Sequence, residues 1–215
     1  MALSALNVFQ TILSEAQRSS PLEWLSLLAG VCYALLAVRQ SRWCWVFGAL
    51  SSSILVFLAF DARLPMQAAL QAYYVAMSIY GFWHWSRLTN SEGLPIGTWP
   101  PRWHVGVWLG IAAVTLTFAP AIGRFTQAAW PQLDTATMLA SLLATWMVAA
   151  SKLENWLYWI VIDAVSVFLY SAQGLWFIAL LYAIYLVIAI AGFQVWRQRW
   201  RAQRILAQRP MARGR

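Results

Sequence analysis

Seven apolar stretches alternate with short polar segments along the 215 residues of the chain. They cover roughly residues 22–38, 43–60, 65–85, 103–122, 134–150, 156–172 and 175–196. Each has about the 17 to 25 mostly apolar residues that an α-helix needs to cross a bilayer. Backbone amides in lipid must be paired internally, and runs of this length without strict alternation favour helices over a barrel. The pattern predicts an all-α integral membrane protein with seven transmembrane helices.

The composition agrees with this pattern and argues against a soluble domain. Hydrophobic residues make up 61% of the chain and charged residues only 10%, with a mean hydropathy of +0.60. Cys32 and Cys44 each lie in or beside a predicted span, so we expect neither a disulfide framework nor a thiolate metal site. The sequence has no phosphate-binding Gly loop, metal-binding His pair or nucleophile motif. We therefore expect a protein without a cofactor or a metal that is not an enzyme.

The basic residues predict the orientation of the chain. Seven arginines follow the last span, between Arg197 and Arg215. Because cytoplasmic loops are enriched in Lys and Arg, this tail is expected inside the cell, and seven spans then place the N-terminus outside. The same placement puts five more basic residues inside, namely Arg39, Arg42, Arg87, Arg102 and Lys152. It leaves three outside, namely Arg18, Arg63 and Arg124. The net charge of +8 therefore indicates contact with anionic lipid headgroups, not with nucleic acid.

An internal repeat relates the first three spans to the last three. A shift of 111 residues aligns the two parts without a gap, with identities at Trp45/Trp156, Phe57/Phe168, Leu58/Leu169, Leu70/Leu181, Tyr74/Tyr185, Gly81/Gly192, Phe82/Phe193 and Trp85/Trp196. Two three-helix units can stand the same way up only if one span separates them, which is the role predicted for span 4. Such 3+1+3 parallel repeats occur in transporters, with the substrate site between the repeats near mid-membrane.

This organisation divides the chain into six parts. They are an amphipathic lead-in at 1–21, a first repeat at 22–86, a cytoplasmic loop at 87–102, a linker helix and loop at 103–133, a second repeat at 134–196 and a basic cytoplasmic tail at 197–215.

Asp163 is the only charged residue deep within a predicted span. A central Asp costs roughly 2.5 to 3.5 kcal/mol on insertion, so such a residue is by default functional and faces the bundle interior or water. The alternative is a structural carboxyl group hydrogen-bonded to a neighbouring helix. Trp156, Trp159 and Asp163 share one face of the predicted helix, with Asn155 above them. This face offers two aromatic rings, an amide and a carboxyl group.

The equivalent positions of the first repeat differ in size and polarity. Trp45 matches Trp156, but Trp159 and Asp163 have small residues at the equivalent positions, in the pairs Gly48/Trp159 and Ser52/Asp163. Ser52 either donates to a ligand or bonds back to a carbonyl one turn earlier. In spans 3 and 7 the paired positions are Gln71/Tyr182 and Tyr74/Tyr185. A Gln in mid-span faces a substrate or bridges two helices, since its amide both donates and accepts.

Other aromatic residues cluster near the predicted span ends. They indicate an interfacial aromatic belt and comprise Trp24, Trp43, Trp83, Trp85, Trp103, Trp196 and Trp200. His84 and His104 flank the polar loop and are expected at headgroup level. The interior residues instead suit a flat cationic ring, because aromatic faces attract a cation by roughly 0.5 to 2 kcal/mol. No Lys or Arg lies within a span interior to pair with a phosphate, so we expect an unphosphorylated solute.

These residues resemble the Pnu family of bacterial vitamin transporters over about residues 25–200. The resemblance is carried by Asn155, Trp156, Trp159 and Asp163, by Tyr182, Tyr185, Gly192 and Trp196, and by the matching first-repeat segments. It implies a full-length SWEET-like fold and a homotrimeric assembly, and we expect the protein in the bacterial inner membrane, where the charge distribution places the N-terminus in the periplasm. It also implies facilitated diffusion of nicotinamide riboside, thiamine, riboflavin or deoxynucleosides, with trapping by a cytoplasmic kinase.

The resulting hypothesis is a uniporter for nicotinamide riboside. Trp45, Trp156 and Trp159 would stack on the solute, and Asp163 would orient the site or the cation. Amide and ribose groups would be bound by Gln71, Asn155 and Tyr182, with Ser52, Tyr74 and Tyr185 also lining the site. Thiamine, which is also cationic, is the closest rival cargo. The residues also allow an ion-coupled symporter that uses Asp163, or a membrane-embedded enzyme or scaffold.

Overall fold

The computed structural model describes residues 5–89, 93–126 and 130–208. These residues form eight helices, α1 (Ala5–Arg18), α2 (Pro21–Val38), α3 (Cys44–Asp61), α4 (Pro65–Leu88), α5 (Pro101–Thr126), α6 (Pro131–Ala149), α7 (Asn155–Ala172) and α8 (Trp176–Gln208). The all-α prediction is confirmed, and each predicted apolar stretch coincides with one of the helices α2 to α8. Parts of the predicted lead-in, loops and tail lie outside the described residues, namely 1–4, 90–92, 127–129 and 209–215.

Five helices of the described chain are long and apolar enough to cross a membrane. They are α2, α3, α5 between Pro101 and Pro120, α7 and α8. Helices α4 and α6 are not among them. Helix α1 has 14 residues, which corresponds to about 21 Å and is shorter than a hydrocarbon core of about 30 Å. Helix α8 continues past the predicted end of its span, so the first part of the basic tail is helical.

Local side chains explain where two of these helices begin. Ser20 caps α2 in a capping box, in which its hydroxyl accepts the Glu23 N–H at 3.2 Å and its own N–H donates to the Glu23 carboxylate at 2.6 Å. Glu15 of α1 accepts the backbone N–H of Phe177 at 2.7 Å, in the first turn of α8. This contact places a carboxylate at the positive end of the α8 dipole and fastens the lead-in helix to the bundle.

The repeat seen in the sequence recurs in the backbone. Helices α3 and α7 each have 18 residues, and both ends of one lie 111 positions from the corresponding ends of the other. Turns with positive φ also recur at this distance, at Gln40 (60°) and Ser151 (54°), and at Arg63 (57°) and Gly174 (78°). Residues other than Gly seldom adopt this conformation, so the matching turns are independent evidence for the repeat.

The helix packing follows the same relation. Helix α3 packs against α2 and α4, as α7 packs against α6 and α8. Two further interfaces join the halves, and they are equivalent under the repeat, since α2 packs on α8 and α6 packs on α4. Helix α5 packs on α6, and α1 packs on α8.

Four buried tryptophans, here called the tryptophan cluster, lie where the two halves meet. Ring centroids are 5.4 Å apart between Trp45 and Trp85, 6.1 Å between Trp85 and Trp196, and 5.6 Å between Trp196 and Trp156. Trp85 donates its indole N–H to the Ala149 carbonyl at 3.0 Å, and Trp196 donates to the Ala37 carbonyl at 3.1 Å. The cluster therefore fastens each half to the other by one hydrogen bond.

The expectation that Trp85 and Trp196 belong to an interfacial belt is wrong. Both side chains are 0% exposed, because each packs in the shared core and has a carbonyl partner for its indole N–H. Trp43, Trp83 and Trp103 are exposed by more than half, as a belt requires.

The loop before α5 closes over the same core. Leu94 and Ile96 are buried together with the tryptophan cluster. Gln203 of α8 holds this loop by accepting the Ile96 N–H at 3.1 Å and donating to the Leu94 carbonyl at 2.9 Å. Gly97 exchanges backbone hydrogen bonds with the turn between α6 and α7, at Ser151 and Leu153. The end of the bundle beneath this loop is thus packed with apolar side chains.

Candidate functional site

Asp163 lies on α7 and is 3% exposed. Within the described residues, no hydrogen bond or ion pair to its carboxyl group is seen. Its polar surroundings come from α8, where Tyr182 and Tyr185 lie close enough to interact with it electrostatically. The carboxyl group is therefore buried beside phenol groups, and no basic side chain is paired with it.

Five tyrosines on several helices, here called the tyrosine group, are connected to this position through Tyr182 and Tyr185. They are Tyr33 of α2, Tyr74 of α4, Tyr170 of α7, and Tyr182 and Tyr185 of α8. Tyr170 stacks on Tyr182 with ring centroids 5.2 Å apart and planes at 12°, and Tyr182 meets Tyr185 at 6.2 Å with an edge contact. Tyr74 lies close enough to Tyr33 and Tyr182 to interact with both electrostatically, and Ser141 of α6 lies near its hydroxyl. Both halves of the repeat contribute to the group.

Two of these tyrosines escaped the sequence analysis. Tyr170 follows Asp163 by seven residues and so shares its helix face, a signal that the sequence did contain. Tyr33 has Ala144 at its repeat-equivalent position, and the repeat therefore gave no indication of it. Ser141 is buried and was likewise missed.

Two glycines explain how the tyrosine rings come close to the helices. A Cβ atom on Gly30 would lie 2.5 Å from the Tyr185 hydroxyl oxygen, and one on Gly48 would lie 3.0 Å from the ring of Tyr33. The small residue opposite Trp159 in the repeat thus makes room for a tyrosine ring of the neighbouring helix. Gln71 and Ser52 are both buried, at 6% and 7% exposure, on α4 and α3.

Trp45 and Trp156 lie in the tryptophan cluster rather than in the tyrosine group. A Cβ atom on Gly81 would fall on the ring of Trp45, and one on Gly192 would lie 2.6 Å from the ring of Trp156. Tyr33 connects the two regions, with its ring centroid 5.6 Å from that of Trp45. The predicted stacking residues thus have rings covered in part by the protein itself.

The polar edges of these tryptophans are nevertheless unpaired. In the described part of the chain, the indole N–H groups of Trp45 and Trp156 are buried without a hydrogen-bond partner. Asn155 is fully buried and donates its amide to the Lys152 carbonyl at 2.6 Å, but its side-chain oxygen also has no partner there. Buried polar groups are rarely left unpaired, so these two donors and one acceptor are unusual features of the region where the two halves meet.

Trp159 is half-buried and packs against two groups of buried apolar side chains. One contains the tryptophan cluster, and the other lies between α5, α6 and α7. His104, expected at headgroup level, is hydrogen-bonded to the Tyr158 hydroxyl at 3.0 Å. No group of three potential metal ligands occurs among the described residues.

Comparison with known proteins places these features in a family. The chain is 25% identical over 201 residues to the nicotinamide riboside transporter PnuC of Escherichia coli (strain K12), covering 81% of this chain and 84% of that one. It is 29% identical over 176 residues to the riboflavin/roseoflavin transporter RibM of Streptomyces davaonensis, covering 79% and 81%. A crystal structure of the vitamin B3 transporter PnuC superposes with a TM-score of 0.65 at 18% identity, covering 94% and 93%.

The sequence model of the nicotinamide mononucleotide transporter family matches residues 20–198. This match covers most of the chain, from the residue before α2 to the middle of α8. The chain therefore belongs to the nicotinamide mononucleotide transporter (Pnu) family of multi-pass membrane vitamin transporters, which confirms the resemblance and the expectation that it is not an enzyme.

Proposed function

We propose that the protein takes up unphosphorylated nicotinamide riboside across the bacterial inner membrane by facilitated diffusion. A cytoplasmic kinase then phosphorylates the imported solute and so traps it in the cell. The observation that carries this proposal is the buried carboxyl group of Asp163, which lies beside the tyrosine group without a basic partner among the described residues. A cationic pyridinium ring supplies both the missing positive charge and a flat face for aromatic contacts.

The other site residues fit this solute by their chemistry. Gln71, Asn155 and Tyr182 would bind the carboxamide or the ribose hydroxyls, and the unpaired side-chain oxygen of Asn155 supports that role. Trp45 and Trp156 would present their unpaired indole N–H groups, while Trp159 would stack. Ser52, Tyr74 and Tyr185 would complete the lining. The span interiors contain no Lys or Arg, so a phosphate group would enter without a charge partner.

The proposed architecture is a 3+1+3 parallel repeat with a SWEET-like fold. Helices α2–α4 and α6–α8 would form two equivalent units around a central site, and α5 would link them. Helices α4 and α6 would also cross the bilayer, since their polar residues, such as Gln71 and Ser141, are buried within the protein and do not meet lipid. The N-terminus would lie in the periplasm and the basic tail in the cytoplasm, and the protein would assemble as a homotrimer.

Riboflavin is the second candidate cargo, because a riboflavin/roseoflavin transporter is among the relatives. Its ring system is flat but uncharged, so it would use the aromatic surfaces without requiring the Asp163 carboxylate. Thiamine is cationic and would use both.

Binding measurements with the purified protein distinguish these cargoes. We expect nicotinamide riboside to raise the unfolding temperature and its 5′-phosphate to leave it unchanged, with thiamine, riboflavin and a deoxynucleoside as parallel samples. Stabilisation by riboflavin or thiamine but not by nicotinamide riboside would reject the proposed cargo. Uptake into liposomes without an ion gradient tests facilitated diffusion, and uptake that requires a proton gradient would favour coupling through Asp163.

A further inference from the structure

A cleft between α5 and α7 combines aromatic rings with a carboxyl group, and it does not include Asp163 or the tyrosine group. Its volume is about 190 Å³. It is lined by His104, Trp108, Glu154, Leu157, Tyr158 and Val161.

At the polar end of this cleft, two lining side chains each have one buried atom without a hydrogen-bond partner among the described residues. Glu154 accepts the backbone N–H of Trp99 with Oε1 at 3.0 Å, whereas its Oε2 is buried and has no partner among the described residues. His104 is hydrogen-bonded to Tyr158 through Nδ1, and its Nε2 is buried without a partner in the same part of the chain. A buried carboxylate oxygen without a donor is costly, and a rotation of the Glu154 side chain toward a donor in the cleft would remove that cost.

The aromatic wall of the cleft suits a cationic donor. The rings of Trp108 and Tyr158 are stacked, with centroids 5.3 Å apart and planes at 7°. Aromatic faces attract ammonium groups, and the nearby carboxylate adds a full negative charge. Among the described residues, no Lys or Arg lines the cleft to neutralise Glu154.

The cleft also changes from polar to apolar along the helix axes. Glu154 and His104 lie at the beginnings of α7 and α5, while Leu157 and Val161 lie about one and two turns further in. Leu157 and Val161 are 44% and 46% exposed, so the cleft opens on the outer surface of the bundle. A membrane lipid has the same order of groups, with a charged headgroup at the surface and acyl chains below it.

We propose that this cleft binds the ammonium headgroup of a phosphatidylethanolamine-type lipid. Glu154 Oε2 accepts a hydrogen bond from the ammonium group, which also lies against Trp108. His104 Nε2 either accepts a second ammonium N–H or donates to the phosphate, according to its tautomer. The first part of an acyl chain runs along Leu157 and Val161.

Native mass spectrometry of the purified, delipidated full-length protein tests this site. Phosphatidylethanolamine and phosphatidylglycerol with identical acyl chains are titrated separately. We expect a preference of roughly tenfold for phosphatidylethanolamine, the ratio expected for one charge-assisted hydrogen bond. Glu154→Gln retains an oxygen for the Trp99 N–H and should abolish the preference. Asp61→Asn, which removes an exposed carboxylate at the end of α3, should leave it intact.

Several outcomes would overturn the proposal. Equal binding of the two lipids by the unmodified protein, or an unchanged preference in Glu154→Gln, would exclude a headgroup site. If free ethanolamine bound as tightly as phosphatidylethanolamine, the cleft would be a site for a soluble amine. If lipid adducts were found only on monomers, the cleft would be covered by another copy of the chain in the oligomer. Should Glu154→Gln fail to fold, Trp108→Leu provides the second variant, and an unchanged preference in it would count against the site.

Discussion

The tryptophan cluster and the tyrosine group are built from the same two repeats, but they use the repeat in opposite ways. In the tryptophan cluster every position has an identical counterpart, with Trp45 matching Trp156 and Trp85 matching Trp196. Among Asp163 and the tyrosine group, only the pair Tyr74/Tyr185 is retained. The other positions differ between the repeats, in the pairs Ser52/Asp163, Gln71/Tyr182, Tyr33/Ala144 and Ala59/Tyr170.

This difference separates structural symmetry from chemical asymmetry. The contacts within the cluster are also alike in the two halves, since Trp45 meets Trp85 and Trp156 meets Trp196 with the same interplanar angle of 81°. A symmetric joint lets two equivalent units pack against each other. The region around Asp163 is asymmetric, because it has one carboxyl group and takes two tyrosines from the first repeat but three from the second. Such a region suits a ligand that has a charged ring at one end and hydroxyl groups at the other.

Asp163→Asn is expected to have the largest effect on this comparison. If the carboxylate pairs with a cationic ring, its loss should weaken nicotinamide riboside binding roughly ten- to hundredfold, as expected for a close charge–charge contact worth about 1.5 to 3 kcal/mol. The measurement is the dissociation constant by isothermal titration, together with uptake into liposomes. Asp61→Asn, which removes an exposed carboxylate outside the centre, is the control and should bind normally.

Unchanged affinity and uptake in Asp163→Asn would assign the carboxyl group a structural role instead. The same substitution also discriminates between cargoes. Binding of riboflavin, which carries no positive charge, should be much less sensitive to it than binding of nicotinamide riboside or thiamine.

The sequence predicted the symmetric region better than the asymmetric one. Long apolar runs and the 111-residue shift were sufficient for the all-α fold, and the helices α3 and α7 begin and end within a residue or two of the predicted bounds. These features depend on hydropathy and local backbone preference, which a single sequence contains. The burial of Trp85 and Trp196 was missed, because a tryptophan near a span end has the same local pattern whether it faces lipid or another helix.

The site around Asp163 was predicted only in part, for a related reason. Asp163, Tyr182 and Tyr185 share the site because α7 packs against α8, and the sequence suggested them through polarity in mid-span. Tyr33 reaches the same group from α2 across the space above Gly48, a contact between helices that no local period indicates. Similarly, the unpaired atoms of Trp45 and Trp156 become visible only when the neighbours of each ring are known.

Substitutions at the paired glycines test the symmetric joint. A Cβ atom at Gly81 or Gly192 would overlap a tryptophan ring, which cannot move away because it packs on a second tryptophan. We expect Gly81→Ala and Gly192→Ala each to destabilise the protein by about 1 to 3 kcal/mol, the usual cost of overpacking a core. Thermal unfolding in detergent would show this as two similar decreases in midpoint temperature.

Gly106→Ala and Gly110→Ala in α5 are the matched controls, because apart from adjacent residues and the backbone of α5 itself, no described heavy atom lies within 4 Å of the added methyl group at either position. They should be neutral or slightly stabilising, since Ala favours helix over Gly. Two unequal decreases at Gly81 and Gly192 would mean that the halves are not equivalent there, and decreases no larger than in the controls would refute the close packing.

The smallest expected effects concern the two hydrogen bonds that cross between the halves. Trp85→Phe removes the bond to the Ala149 carbonyl, and Trp196→Phe removes the bond to the Ala37 carbonyl. Each loss should cost about 1 kcal/mol, with a further small contribution from the smaller ring. The two variants should therefore unfold at nearly the same temperature, somewhat below the unmodified protein. Trp83→Phe, on the exposed side of α4, is the control and should unfold like the unmodified protein.

The double variant makes this test sharper. The rings of Trp85 and Trp196 are 6.1 Å apart, so their contributions should be coupled, and the combined loss should differ from the sum of the single losses. Since each bond runs from one half to the other, weakening both should loosen the joint while leaving the Asp163 centre intact. Ligand affinity should then change less than stability, whereas an equal loss of both would mean that the joint and the centre cannot be separated.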